Sequence, residues 1–354
     1  MNAPENISLY CFSGTGNALI AAQWMQELAI SKDVSTELIC IDRFNEITLP
    51  KAQSNSTIGF FYPTHGFCMP WIMLRYMMKF PALKNTQVFF VNTRGGVRIW
   101  KLHLPGVSGM AHILAALIFL FKGMKIIGAH PIDSPHNFIS IAPPQNKRGQ
   151  EAMIKRNKRS LIRFGERILN NKFSYSIKAW ISLPLDILLI PITFAYLVMA
   201  RFIIGKLLYA TSNCNNCDIC INSCPCNAIE KVFNRPYWTV HCESCMRCMN
   251  ICPQKSIQSW GTRFILTYIL VFPLYLIGIK YIHAFLIQAP LLSFISENTF
   301  GILFNFILIP IYFVFSWLIS FTFINKLITY TSLSYIWGRF INPLIKIKDL
   351  IRKR

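Results

Sequence analysis

Nine of the twelve cysteines lie between Cys214 and Cys252, and eight of these form two runs with the same spacing. The first run holds Cys214, Cys217, Cys220 and Cys224, and the second holds Cys242, Cys245, Cys248 and Cys252. Each run reads C-x2-C-x2-C-x3-C and is followed by proline, which is the bacterial spacing for a pair of [4Fe-4S] clusters. The two runs therefore predict two clusters and electron-transfer chemistry.

The spacing also predicts which cysteines share a cluster. Three thiolates two residues apart can wrap one cube, whereas the fourth points toward the neighbouring cube. One predicted set is Cys214, Cys217, Cys220 and Cys252. The other is Cys242, Cys245, Cys248 and Cys224. A pair of zinc knuckles is the alternative, but zinc sites usually separate two C-x2-C pairs by a longer gap. Cys226 is an extra cysteine, and we expect it to be a small buried side chain beside a cluster.

A second pattern with chemistry lies near the N-terminus. An apolar strand at residues 7–12 is followed by the turn Ser13, Gly14, Thr15, Gly16 and Asn17, and helical apolar spacing follows at residues 18–28. Such a turn directs backbone N–H groups and a helix N-terminus at one point, which predicts an anion site. A Rossmann loop would need glycine at Leu19, and a Walker loop would need Gly-Lys, so neither matches.

The elements that must position this turn are strands separated by helices. Further strands are predicted at residues 58–62, 88–92 and 124–129, which together indicate a parallel, doubly wound sheet. Two more loops are predicted at the carboxyl ends of its strands. The first contains Pro63, Thr64, His65 and Gly66, and the second contains Asn92, Thr93, Arg94 and Gly95.

The turn at Ser13–Asn17 resembles the S-x-T-G-N loop of the flavodoxin family, which holds the phosphate of FMN. The resemblance implies an α/β flavodoxin-like doubly wound sheet, with the two later loops around the flavin ring. Tyr62 or Phe67 would stack on that ring, and Arg94 would stabilise the anionic reduced flavin. Residue 18 is alanine, where the family usually has serine or threonine.

The cysteine runs resemble the bacterial 2[4Fe-4S] ferredoxin family, a small α+β domain. A flavodoxin-like half joined to such a domain resembles the bacterial "ferrodoxin" fusion family, and residues 134–139 are similar to a segment of those proteins. The resemblance implies an FMN and two low-potential [4Fe-4S] clusters as cofactors. The long apolar runs indicate a membrane-attached variant with transmembrane α-helices.

The composition agrees with membrane attachment. The chain of 354 residues is 53% hydrophobic and 14% charged, more apolar than most soluble proteins. Its formal net charge of +21 suits a surface of anionic lipid. The basic helix at residues 150–173 is either a solvated outer helix or a contact with lipid headgroups. The segments 264–287 and 300–323 are each long enough to span a bilayer, and the linker between them has no Lys or Arg.

These observations divide the chain and place it in the cell. The predicted parts are a flavodoxin-like FMN-binding domain at 1–176, a membrane-associated segment at 177–206, a 2[4Fe-4S] ferredoxin domain at 207–258, transmembrane helices at 264–287 and 300–323, and a basic cytoplasmic tail at 324–354. The positive-inside tendency predicts a hairpin in the cytoplasmic membrane with the redox domains facing the cytoplasm. The segment 177–206 is expected to dip into or lie along the membrane.

The leading functional hypothesis is an electron carrier that joins the clusters to FMN, with membrane lipid and a redox protein as its partners. No general-base pair, nucleophile elbow or hydride-donor site is visible. An oxidoreductase, in which the clusters feed a flavin that reduces a small molecule, is one alternative. A membrane redox sensor with an empty flavodoxin-like half is another. No helix-turn-helix or RNA-binding signature is visible, so nucleic acid is not an expected partner.

Overall fold

The computed structural model describes residues 6–42, 56–260 and 317–350, except positions 84, 141 and 320. A few separate positions, 4, 277–278, 280–281, 284–285 and 314, are described as well. Most of the predicted spanning segments 264–287 and 300–323 therefore lies outside the described residues.

A seven-stranded sheet forms the centre of the N-terminal half. Its strands are β1 (Asn6–Cys11), β2 (Ser35–Cys40), β3 (Thr57–Pro63), β4 (Gln87–Ile99), β5 (Leu102–Leu104), β6 (Lys125–Pro135) and β7 (Ser174–Tyr175). The order is β2-β1-β3-β4-β6-β7, with β5 paired antiparallel to β4 and the other strands parallel. This is the flavodoxin-like doubly wound order, whose switch point lies between β1 and β3.

Helices cover both faces of this sheet. They are α1 (Asn17–Ile30), α2 (Trp71–Lys79), α3 (Ala111–Phe121) and α4 (Lys147–Leu169). The first and fourth pack on one face with Phe61 and Phe89, and the second and third pack on the other face with Phe60 and Phe90. Strand β3 is buried along almost its whole length, as expected for a strand covered on both sides. The predicted parallel sheet is thus confirmed.

The helical segment that follows the sheet domain is short and broken. It consists of α5 (Ile177–Leu188), α6 (Ile190–Ala195), a π-helical turn at Tyr196–Ala200, and α7 (Arg201–Ile204). Pro184 lies inside α5, and a second proline begins α6. Proline removes a backbone donor and interrupts the helical ladder, which explains these breaks.

The cysteine module, residues 208–259, follows this segment. It contains β8 (Leu208–Ala210), α8 (Ile219–Asn222), β9 (Ile229–Val232), β10 (Arg235–Trp238), α9 (Arg247–Ile251) and β11 (Ile257–Ser259). The first strand pairs with the last, and the two middle strands pair with each other, all antiparallel. The result is a small α+β unit made of two similar halves.

The C-terminal residues pack against both earlier parts. They form α10 (Thr322–Tyr330), α11 (Leu333–Ile336) and α12 (Ile347–Leu350). Asn325 accepts from Ser212 N at 2.9 Å, which ties α10 to the cysteine module. The backbone N–H of Asn342 donates to Thr15 O at 2.9 Å, in the predicted anion turn. Most of the segment assigned to a basic tail is thus folded onto the sheet domain and the cysteine module.

Candidate cofactor and cluster sites

The carboxyl edge of the sheet holds a small cavity at the predicted flavin site. Its volume is about 120 Å³. The predicted residues that line it are Ser13, Gly14, Thr15, Asn17, Pro63, Thr64, Thr93, Arg94 and Gly95. Gly16, His65, Gly66 and Asn92 lie near it in sequence but do not line it. The remaining wall comes from Ala18 and from the end of β6 with the residues after it: Ser134, Pro135, His136, Asn137 and Phe138.

The anion turn has the geometry that phosphate binding requires. Gly16 adopts a φ of +99° just before α1, and no side chain caps that helix. Ser13 Oγ accepts from Gly16 N at 3.1 Å, and Thr15 Oγ1 accepts from Asn137 Nδ2 at 2.8 Å. An uncapped helix N-terminus beside a hydroxyl-rich turn favours an anion. The residues present therefore fit the phosphate end of FMN.

One predicted loop is a strand instead. Asn92, Thr93, Arg94 and Gly95 belong to β4, which continues to Ile99 because it pairs with β6 along ten positions and then with β5. The prediction of a loop here was wrong, since the polar residues and glycines that suggested a turn all pair with β6, and Asn92 and Thr93 pair with β3 as well. Asn92 Nδ2 donates to Thr64 Oγ1 at 2.7 Å, while Asn92 Oδ1 is buried without a partner among the described residues.

Arg94 is buried and already has an anionic partner. Its Nε donates to Asp133 Oδ1 at 2.7 Å, and its Nη1 donates to Ser108 Oγ at 3.2 Å. Only 2% of the residue is exposed. A paired guanidinium at this depth holds the edge of the sheet together, and much of its charge is compensated by the carboxylate.

Helices α5 and α6 pack against the loops that follow β5 and β3. Asp186 is 5% exposed and accepts from Gly109 N at 2.7 Å and from Ser182 Oγ at 2.8 Å. Thr193 Oγ1 donates to Phe67 O at 3.1 Å. Asp186 therefore lies in a protein crevice, where hydrogen bonds compensate its burial.

Among the described residues, the helical run Ile190–Leu207 is the one that is long enough and apolar enough to cross a membrane. About a fifth (22%) of its most apolar window is buried inside the protein. Its exposed face carries large apolar side chains, including Phe194, Val198, Met199 and Ile203. One side of this run therefore packs on the sheet domain while the other presents an apolar surface.

Because this helix contacts the loop after β3, we expect alanine substitutions at two glycines to reduce the stability of the protein by different amounts. A Cβ on Gly66 (φ +53°) would lie 2.2 Å from the ring of Tyr196, whereas one on Gly123 (φ +69°) would meet nothing within 4 Å. We expect Gly123→Ala to cost about 1–2 kcal/mol for its left-handed backbone alone. Gly66→Ala should cost about 2–4 kcal/mol, because the ring must also move. Urea unfolding measures both values, and equal losses would contradict the contact.

The two halves of the cysteine module repeat each other at an interval of 28 residues, from Cys214 to Cys242. Left-handed backbone recurs at matching positions: Asn216 and Ser244, Asp218 and Met246, and Asn227 and Lys255. Cys224 Sγ accepts from Ala228 N at 3.3 Å, and Cys252 Sγ accepts from Ser256 N at 3.3 Å. Backbone N–H groups aimed at cysteine sulfurs stabilise thiolates, as a cluster ligand requires.

Two buried cysteines have neighbours that agree with the predicted groups. Burial, together with the nearby thiols of Cys252, Cys214 and Cys217, raises the pKa of Cys220 to about 12. Burial likewise raises the pKa of Cys248 well above its usual range, with contributions from Cys242, Cys245 and Cys224. The assignment of four ligands to each cluster stays a prediction. Crowded thiols of this kind ionise readily only when a cationic group binds them.

Within the described part of the chain, no three His, Cys, Asp or Glu side chains are arranged to hold a single metal ion. A tetrahedral zinc site needs its sulfurs to converge on one point. A cube instead binds its four thiolates through four separate iron atoms, so the sulfurs need not converge.

Arg247 joins the cysteine module to the anion turn, and sequence reasoning did not identify it. Its Nη2 donates to Ser13 O at 2.6 Å and its Nε donates to Gly14 O at 3.2 Å. Its Nη1 pairs with Asp42 Oδ2 at 2.6 Å, and the side chains are 3% and 12% exposed. A signal did exist, because the matching position in the first half is Ile219 and the arginine breaks the repeat.

No family model and no curated protein matches this chain. Its N-terminal part is similar to solved flavodoxins. A flavodoxin from the domain Archaea is 18% identical and covers 46% of this chain and 98% of its own, with a TM-score of 0.32. The flavodoxin of Streptococcus pneumonia TIGR4 is 10% identical and covers 46% and 97%, with a TM-score of 0.30. The flavodoxin-like fold is assigned here on the order of its strands.

Proposed function

We propose that this protein is an electron carrier that binds two [4Fe-4S] clusters in its cysteine module. The observation that carries the proposal is the 28-residue repeat, in which left-handed residues and N–H···S hydrogen bonds recur around two runs of four cysteines. Cys214, Cys217, Cys220 and Cys252 would hold one cube, and Cys242, Cys245, Cys248 and Cys224 the other. Each bound cube would take up and release one electron.

FMN is the second proposed cofactor. The turn at Ser13–Asn17 would bind its phosphate, while the walls at Thr64 and Gly95 would face its ring. When bound, FMN supplies two-electron chemistry beside one-electron clusters. The cysteine module adjoins this site, since a Cβ on Gly14 would lie only 2.2 Å from Cys245 O. That proximity supports exchange of electrons between the two cofactors.

Attachment to the cytoplasmic membrane completes the proposal. It is supported by the apolar outer face of Ile190–Leu207 and by the formal net charge of +21. A helix that packs on the protein with one face and exposes an apolar face on the opposite side would lie along the headgroup boundary of the membrane. We propose that the redox domains face the cytoplasm.

Iron and acid-labile sulfide analysis of anaerobically prepared protein tests the cluster proposal. Two cubes predict about eight irons and eight sulfides per chain. The matched sample is the same protein purified after treatment with an iron chelator. Zinc without labile sulfide in the untreated protein would overturn the proposal.

A redox sensor with an empty flavodoxin-like half is the second candidate, favoured by the size of the cavity. At about 120 Å³ it is smaller than the ~300–1,000 Å³ typical of ligand pockets, so the ring would need its walls to move. Flavin released by acid and measured by fluorescence separates the two. One FMN per chain supports the carrier, whereas intact clusters without flavin support the sensor.

A further inference from the structure

A second pocket, of about 520 Å³, lies between the apolar helical segment and the cysteine module. Its volume is within the ~300–1,000 Å³ range of pockets that bind small molecules. Six of the side chains that line it carry the argument: Trp71, Arg75, Arg201, Phe202, His241 and Cys242. None of these side chains belongs to the predicted flavin site.

The pocket combines aromatic walls with hydrogen-bond donors. The guanidinium of Arg201 lies 4.2 Å from the ring centre of Trp71 and 4.0 Å from that of Phe202. Arg201 Nε donates to Leu197 O at 2.6 Å, which fixes the direction of the side chain. The guanidinium therefore stacks on both rings, and arginine and histidine N–H groups at the pocket can donate to the oxygen atoms of a ligand.

Glu243 organises the pocket without offering its charge to a ligand. Its two carboxylate oxygens accept from Trp71 N at 2.9 Å and from Ile72 N at 3.1 Å, at the start of α2. The carboxylate therefore holds the N-terminus of this nine-residue helix and fixes Trp71 at the pocket wall. The other side chains named above that line the pocket are mainly aromatic and cationic.

The position of the pocket indicates which ligand it takes. One wall is Cys242, a proposed cluster ligand, and a Cβ on Gly205 at the end of the apolar helix would lie 2.6 Å from the Cβ of Cys242. Phe202 on that helix and the half-exposed Val240 lie at the pocket, beside the exposed Ile203. A ligand here meets apolar surface at one end and a redox centre at the other.

We infer that this pocket binds the head group of a lipid-soluble quinone. A quinone has the flat ring, the two acceptor oxygens and the apolar tail that these walls match. The inference rests on the proposed function, which would supply the reductant: two reduced clusters give up one electron each. With two protons taken from water, those electrons convert the quinone to its quinol and leave both clusters oxidised.

Calorimetric titration of menadione into the oxidised full-length protein tests binding separately from electron transfer. Saturable binding is expected in the wild type. Arg201→Gln should weaken it about tenfold by removing a charged donor. Val240→Phe, which narrows the pocket, should weaken it at least as much. Arg167→Gln is the matched control, because Arg167 also donates to a backbone carbonyl but lies on α4.

Equal affinity in the wild type, Arg201→Gln and Val240→Phe proteins would overturn the inference. So would displacement of menadione by benzoate at equal concentration, since that result would make the pocket an anion site. Iron content is measured on every sample. Full iron content without quinone binding would overturn this inference but not the proposed electron carrier. Quinone binding without iron would overturn the proposed carrier but not the binding of a quinone.

Discussion

Replacing Arg247 with methionine should reduce the free energy of unfolding by about 3–5 kcal/mol, because it leaves the buried carboxylate of Asp42 without its partner. The substitution also removes the hydrogen bonds to Ser13 O and Gly14 O that hold the anion turn against the cysteine module. Thermal and urea unfolding of the holoprotein measure the loss. The effect should be among the largest that a single side chain in this molecule can produce.

Lys231→Met is the matched control for this prediction. Lys231 and Asp218 also form an ion pair in the cysteine module, at 2.8 Å, but their side chains are 37% and 39% exposed. Exposed pairs contribute about 0–1 kcal/mol, so this variant should be almost as stable as the wild type. Adding Asp42→Asn to Arg247→Met should recover part of the lost stability. Similar losses in the Arg247 and Lys231 variants would show that the buried pair does not join the two parts.

The second large effect concerns the crossed ligand groups. Cys217→Ser and Cys252→Ser lie in different runs but should remove the same cluster, leaving about four irons of about eight. Cys224→Ser should remove the other cluster with the same loss of iron. Electron paramagnetic resonance of the reduced proteins distinguishes the two remaining clusters by their signals. We expect identical spectra from the first two variants and a different spectrum from the third.

Cys226→Ser is the matched control, because Cys226 lies beside the clusters but outside both groups. It should retain all of its iron. Matching spectra for Cys217→Ser and Cys224→Ser, with a different one for Cys252→Ser, would contradict the crossed assignment. Loss of iron in Cys226→Ser would add an unexpected ligand to the module.

Local patterns predicted the elements of this fold that bury continuous apolar sequence. Strand β3 is one example, since its aromatic run has no other place than the centre of a covered sheet. Strand β2 escaped prediction because it lies at the edge and alternates exposed polar residues with half-buried ones. Strand β4 was predicted too short, because its polar second half is extended by pairing with distant strands.

The residues of the candidate sites also fall into those that local sequence patterns identify and those that only the folded chain brings together. Cysteine spacing is local, so the two proposed ligand groups rest on the sequence alone. Partners such as Asp42 for Arg247, or Trp71 N for Glu243, are brought together only by the folded chain. No spacing rule links residues about 200 positions apart, and only the break in the repeat at Arg247 hinted at such a partner.

The hydrogen bonds between Asn342 and the anion turn have a consequence for the order in which the protein folds. Asn342 Nδ2 donates to Asn17 Oδ1 at 3.0 Å, across 325 positions of sequence. Residues 13–17 leave the ribosome well before residue 342, so these hydrogen bonds can form only late in synthesis. Contacts between residues so far apart in sequence form slowly, and we expect the turn to reach its final geometry after the sheet around it has folded.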